Sequence, residues 1–148
     1  MRLLSIVILV LISFFHQSVF ASSESEALGK CLGDFTNGKE RKELARWVFI
    51  AMTSHPELQS VSAVKDADRV GANQEMAALV TRLISEQCVA QTKAVIKSDG
   101  KEGFVAAFKM LGELAMAEIM GNKEVMKSIS DYTKFLDQKK LDSVFGSK

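Results

Sequence analysis

Proline occurs once in this chain, at Pro56, and the one Asn-Gly pair is not flanked by alternating apolar residues. Strand and hairpin signals are therefore scarce. Histidine is nearly as rare. After Ala21 only His55 remains, which excludes an HExxH zinc site and any paired-histidine ligand set there. A Cys–His dyad is excluded too if the two cysteines, Cys31 and Cys88, are bridged. An excess of either charge is also missing, with 19 basic residues against 18 acidic ones. That balance speaks against nucleic acid, which rewards a basic stripe, and against an electrostatic grip on an anionic membrane. Repeats, low-complexity tracts and linkers are absent.

What is present begins with an address. Arg2 is followed by an apolar run from Leu3 to Phe15, broken only by Ser5 and Ser13. Val19-Phe20-Ala21 then places small residues three before and one before a cut after Ala21, as a cleaved signal peptide requires. As a membrane span the run is too short, because His16, Gln17 and Ser18 end it. A lipid-anchored cysteine is disfavoured by Lys30 just before Cys31. The expectation is a signal peptide at 1–21 and a single domain at 22–148, periplasmic or secreted, with no stable membrane anchor after cleavage. In an exported chain two cysteines read as a disulfide, and Cys31–Cys88 is the one internal pairing.

Helical periodicity runs through the rest. Ser23 and Glu26 predict a capping box for a first helix with Leu28, Cys31, Leu32 and Phe35 inward. Asn37 and Glu40 predict the cap of a second, from Lys39 to His55, which Pro56 ends. In this second helix Leu44, Trp47, Val48, Ala51 and Met52 share a face, and Phe49 and Ile50 make its latter half apolar nearly all round. A helix of that kind is expected inside the domain with others packed about it. Residues 57–65 have no clear period. A long third helix is expected from Asp66 to Cys88 and a fourth over Val89–Lys97. The fifth should run from Lys101 to Met120, ended by Gly121-Asn122 as a left-handed cap. Val125, Ile129, Tyr132 and Leu136 make a sixth face, and Leu141, Val144 and Phe145 a last turn that docks separately.

No residue set rises to a catalytic, cofactor-binding or metal site. Acidic residues lie at ordinary solvent positions, such as Lys109 with Glu113 four apart. Met110, Met116, Met120 and Met126 could in principle hold Cu(I), but methionine more often fills gaps between helices. Two positions stand out. His55 falls within the second helix's apolar arc and Glu118 on the apolar side of the fifth, so the two are expected to meet as a polar pair in the core. The plainer alternative has each at a helix end, in water. Trp47 is expected either in the core or as an anchor for a partner.

Cys31-Leu32, Gly38-Lys39, Arg41-Lys42, Leu44-Ala45-Arg46-Trp47, Phe49, Ala51-Met52 and His55-Pro56 resemble a family of small exported proteins of Gram-negative bacteria. Asn73-Gln74, Leu79 to Leu83, Cys88 and Gly112-Glu113-Leu114-Ala115-Met116 fit the same likeness, which covers most of the chain after Ala21. The resemblance implies a periplasmic or secreted all-helical domain and implies no activity.

The sequence thus predicts an all-α bundle of five or six helices around a central second helix. The leading functional expectation is a non-enzymatic adaptor with a protein partner in the cell envelope. A carrier of a small apolar ligand, in a pocket lined by Met, Phe and Leu, is the alternative, and a small hydrolase stands third. A pocket of several hundred Å³ would favour the carrier, and a solid core with an exposed apolar patch the adaptor.

Overall fold

Residues 22–146 are described in the computed structural model, so the segment expected as a signal peptide, 1–21, lies outside the described residues. The Ser22 side chain accepts from the Ser25 amide and opens α1 (Ser23–Asp34), one residue earlier than the expected cap at Ser23. Asn37 and Glu40 form the expected capping box, each closing a 3.0 Å bond to the other's backbone amide, and start α2 (Gly38–Met52). This helix stops three residues short of His55. Arg69 draws it to a close, donating to the carbonyl of Ile50 at 2.7 Å and to the Thr53 hydroxyl at 3.0 Å. A guanidinium there also complements the negative end of the helix dipole.

Pro56 opens a single turn, α3 (Pro56–Gln59), at the first helical position, where its missing N–H costs nothing. Next comes α4 (Asp66–Arg82). It does not run on to Cys88 as an α-helix. Residues Leu83–Gln87 widen into a π-turn that closes with the Cys88 amide on the Leu83 carbonyl at 2.8 Å. The chain continues through α5 (Val89–Ser98) and α6 (Gly100–Met120), with Gly100 at φ +62° making the corner. Gly121 is right-handed at φ −67°, not the left-handed cap expected of it. Asn122 instead takes over the exit, its side chain accepting from the amides of Glu124 and Val125 to cap α7 (Lys123–Ser130). A 3-10 turn, Asp131–Phe135, and α8 (Gln138–Phe145) complete the described chain. The fold is all-α, with eight α-helices and no strand among the described residues.

The expected centre was α2; the observed one is α6. This helix packs on α1, α2 and α5 together. Its inner stripe, Gly103, Ala107, Leu111 and Ala115, is small enough to let three neighbours close in. A Cβ on Gly103 would collide with Asp99 and the Ser25 hydroxyl, and one on Gly29 of α1 with the thioether of Met110. Met110 therefore fills a gap between helices. Around the stripe lie Leu28, Leu32, Leu83 and Val95, all fully buried. On α2 only Leu44, Ala45 and Ile50 are buried, while Phe49 and Met52 are more than half exposed. Although the second half of α2 is apolar nearly all round, the face that carries Phe49 and Met52 is left to solvent.

Candidate interaction surface

The two cysteines sit where the sequence places them. Cys31 on α1 and Cys88 after the π-turn are bonded, with Cα atoms 6.0 Å apart, and both are buried in the core. Trp47 is half-buried against that core, and its indole N–H donates to Asn73 on α4 at 2.8 Å. It acts with the Arg46–Glu75 pair, 3.7 Å, to tie α2 to α4. It is neither wholly core nor free as an anchor.

The polar pair expected in the core does not form. His55 lies beyond the end of α2, is exposed, and caps α3 by accepting from the Glu57 amide at 3.3 Å. Its helical-wheel position has no meaning once the helix stops at Met52. Glu118 does lie at a half-buried position on α6 and does take a cation, but that cation is Arg41 of α2, at 3.2 Å. Arg41 also donates to the Thr36 carbonyl at 2.7 Å. Arg82 mirrors this from α4, holding Glu40 at 2.6 Å and the Phe35 carbonyl. Two arginines thus hold the Phe35 and Thr36 carbonyls in the link that follows α1, each arginine partnered by a carboxylate. The sequence reading missed both, because long side chains reaching across 42 and 77 residues leave no local periodicity.

Beside Arg41 and Glu118 an open groove of about 920 Å³ runs between α1 and α6. Its apolar floor is Met110, Leu114 and Ala117, and Lys30, Asp34 and Glu113 stand on its rim. Of the Met, Phe and Leu expected to line a carrier pocket, only Met110 and Leu114 appear here. No described group of three or more His, Cys, Asp or Glu side chains is arranged to hold a metal ion.

The remaining feature is the arm from Lys123 to Phe145. Its helices are strongly amphipathic and contain no buried residue. Ile129 is 47% exposed, Tyr132 63%, Phe135 87% and Phe145 80%. The arm touches the bundle chiefly where α7 meets the end of α6, and α8 makes no substantial contact with another helix. Val125, Ile129, Tyr132 and Leu136 are expected to share one helical face. The 3-10 turn at Asp131 breaks its phase, so Leu136 joins an extended link instead. No described helix is long and apolar enough to cross a membrane.

Fold and surface together define a disulfide-tied helical bundle carrying an open groove and an amphipathic C-terminal arm. No protein-family model, curated protein or solved structure matches the chain.

Proposed function

We propose that this protein is a non-enzymatic adaptor of the cell envelope, periplasmic or secreted, that engages a protein partner through the arm Lys123–Phe145. The observation that carries the reading is the arm's exposed apolar side chains, Tyr132, Phe135, Val144 and Phe145, each more than 60% exposed on a segment with no buried residue. Large apolar side chains left exposed in one segment mark protein–protein sites, where aromatic residues are enriched among the binding hot spots. The carrier alternative finds less support, because a ligand pocket encloses most of its ligand whereas the groove beside Arg41 is open to solvent. Export is supported by Arg2, the apolar run and Val19-Phe20-Ala21.

The test is capture from an envelope extract by the native protein and by a Phe135→Asp, Phe145→Asp variant. At least one envelope protein should be retained by the first and lost by the second. Capture of nothing, or of the same set by both, would end the reading.

A further inference from the structure

We infer that the cleft between the end of α2 and the first half of α4 binds a short-chain carboxylate, held by Arg69, Asn73 and Ser54. Trp47, Ile50, Ala51 and Ser54 line the cleft on one side and Arg69 and Asn73 on the other, around about 190 Å³. A water in the liquid takes about 30 Å³, so there is room for about six non-hydrogen atoms, a carboxylate of about two to four carbons.

The ligand's chemistry follows from which hydrogen-bonding groups the fold uses here and which it leaves over. The main-chain carbonyls from Phe49 to Thr53 are all taken. Those of Phe49, Ala51 and Met52 accept from the amides of Thr53, Ser54 and His55. That of Ile50 accepts from Arg69 and from the Thr53 hydroxyl, and that of Thr53 from Arg69. Donors are what remain. Asn73 accepts the Trp47 indole N–H at 2.8 Å, and an indole only donates, so the amide oxygen faces it. The Asn73 amide nitrogen then keeps two protons that no described residue accepts. Ser54 accepts from Arg69 at 3.0 Å, and its own hydroxyl proton goes to no described residue. Arg69 directs its two terminal nitrogens at neutral oxygens of Ile50, Thr53 and Ser54, which leaves its Nε–H over.

Charge points the same way. Arg41, Arg46 and Arg82 each meet a glutamate, whereas Arg69 pairs with no carboxylate among the described residues. No acidic residue lines the cleft, while the larger groove beside Arg41 carries Asp34, Glu113 and Glu118. The negative end of α2 opposes an anion with about half an elementary charge, and the guanidinium brings a whole one. A planar anion that only accepts hydrogen bonds fits these donors, and a carboxylate is such a group. Inorganic phosphate would leave the apolar half of the lining, Trp47, Ile50 and Ala51, unmatched, whereas a short carbon chain covers it. The cleft shares no residue with the arm, so this inference and the adaptor reading stand or fall separately.

Trp47 is the only tryptophan in the chain, so its fluorescence and its indole N–H resonance both report an occupant of the cleft. The experiment titrates the disulfide-bonded protein with sodium propanoate, in a buffer free of phosphate and of other carboxylates, with propanamide and sodium chloride as controls. Propanoate should move both signals saturably, with half-saturation below about 10 mM for a ligand of so few atoms. Propanamide has the same shape without the charge and should bind about tenfold more weakly or worse. Asn73→Asp keeps an acceptor for the indole but sets a negative charge beside the ligand, at an exposed position. Ala51→Leu fills the cleft from another exposed position. Each should lower propanoate affinity about tenfold or more while helix content is unchanged. No saturable response to propanoate would overturn the inference, as would an equal response to propanamide or to chloride. So would an affinity that survives both substitutions.

Discussion

Asp99 fastens the N-terminus of α1 to the corner between α5 and α6. Ser22 and Ser25 both donate hydroxyl protons to its carboxylate, the second at 3.1 Å, although they lie more than 70 residues away in the chain. Donation by Ser22 is the main reason its pKa lies below the ordinary aspartate value, with Ser25 and Ser98 adding to it against the opposing cost of desolvation. A depressed carboxylate pKa contributes stability that is complete above the unfolded value, about 3.9, and is lost as pH falls through the folded value. The difference in melting temperature between the native protein and Asp99→Asn should accordingly be constant above about pH 5 and close on acidification below 3.9. Thermal melts from pH 7 to pH 2 check this, and a gap that persists at pH 2 would remove Asp99 from the account. None of it is legible locally. In the sequence Ser98-Asp99-Gly100 is a helix break, and its second role depends on a serine pair that the fold brings to it.

Among the elements, α6 governs the packing through what its side chains lack. Gly103 touches Asp99 and Ser25 so closely that a methyl group has no space. Gly103→Ala should therefore cost about 1–3 kcal/mol despite the better helix propensity of alanine, measurable by denaturant titration. Stabilisation would mean that α1 and α6 can move apart freely. The arm is the opposite case. With no buried residue from Lys123 to Phe145, a chain ending at Asn122 should keep its helix content in the remaining bundle. Its melting temperature in dilute solution should fall by less than about 4 °C, the shift of roughly 1 kcal/mol. Collapse of the bundle on truncation would show that the arm belongs to the core.

For the molecule as a whole, the Cys31–Cys88 bond joins α1 to the end of the α4–π-turn unit and closes a loop of 57 residues. Constraining an unfolded chain over that length is worth about 4 kcal/mol, a large fraction of the 5–15 kcal/mol by which domains are stable. Cys88→Ala should lower the melting temperature by about 10–20 °C. Two thiols titrating in protein kept under oxidising conditions would contradict the bond. The buried positions of both sulfurs in the same cluster as Leu28, Leu32 and Leu83 mean that its loss also leaves a gap in the core.

By itself the sequence determined the all-α class, the Asn37–Glu40 cap, the break at Ser98-Gly100, and the partnership of the two cysteines. These follow from 3.6-residue periodicity, capping chemistry and a count of two, all of which are local or need no geometry. Only the tertiary structure decided that α6 and not α2 lies at the centre, because centrality depends on how many neighbours a small-residue stripe admits. It likewise decided that Glu118 meets Arg41 while His55 caps α3. A helical wheel places a side chain on a face, but the residue opposite depends on where each helix stops and on how far an arginine reaches across the chain. The apolar face of the arm is the sharpest instance: its periodicity was readable, yet whether that face lies inward or outward is a property of the packing around it.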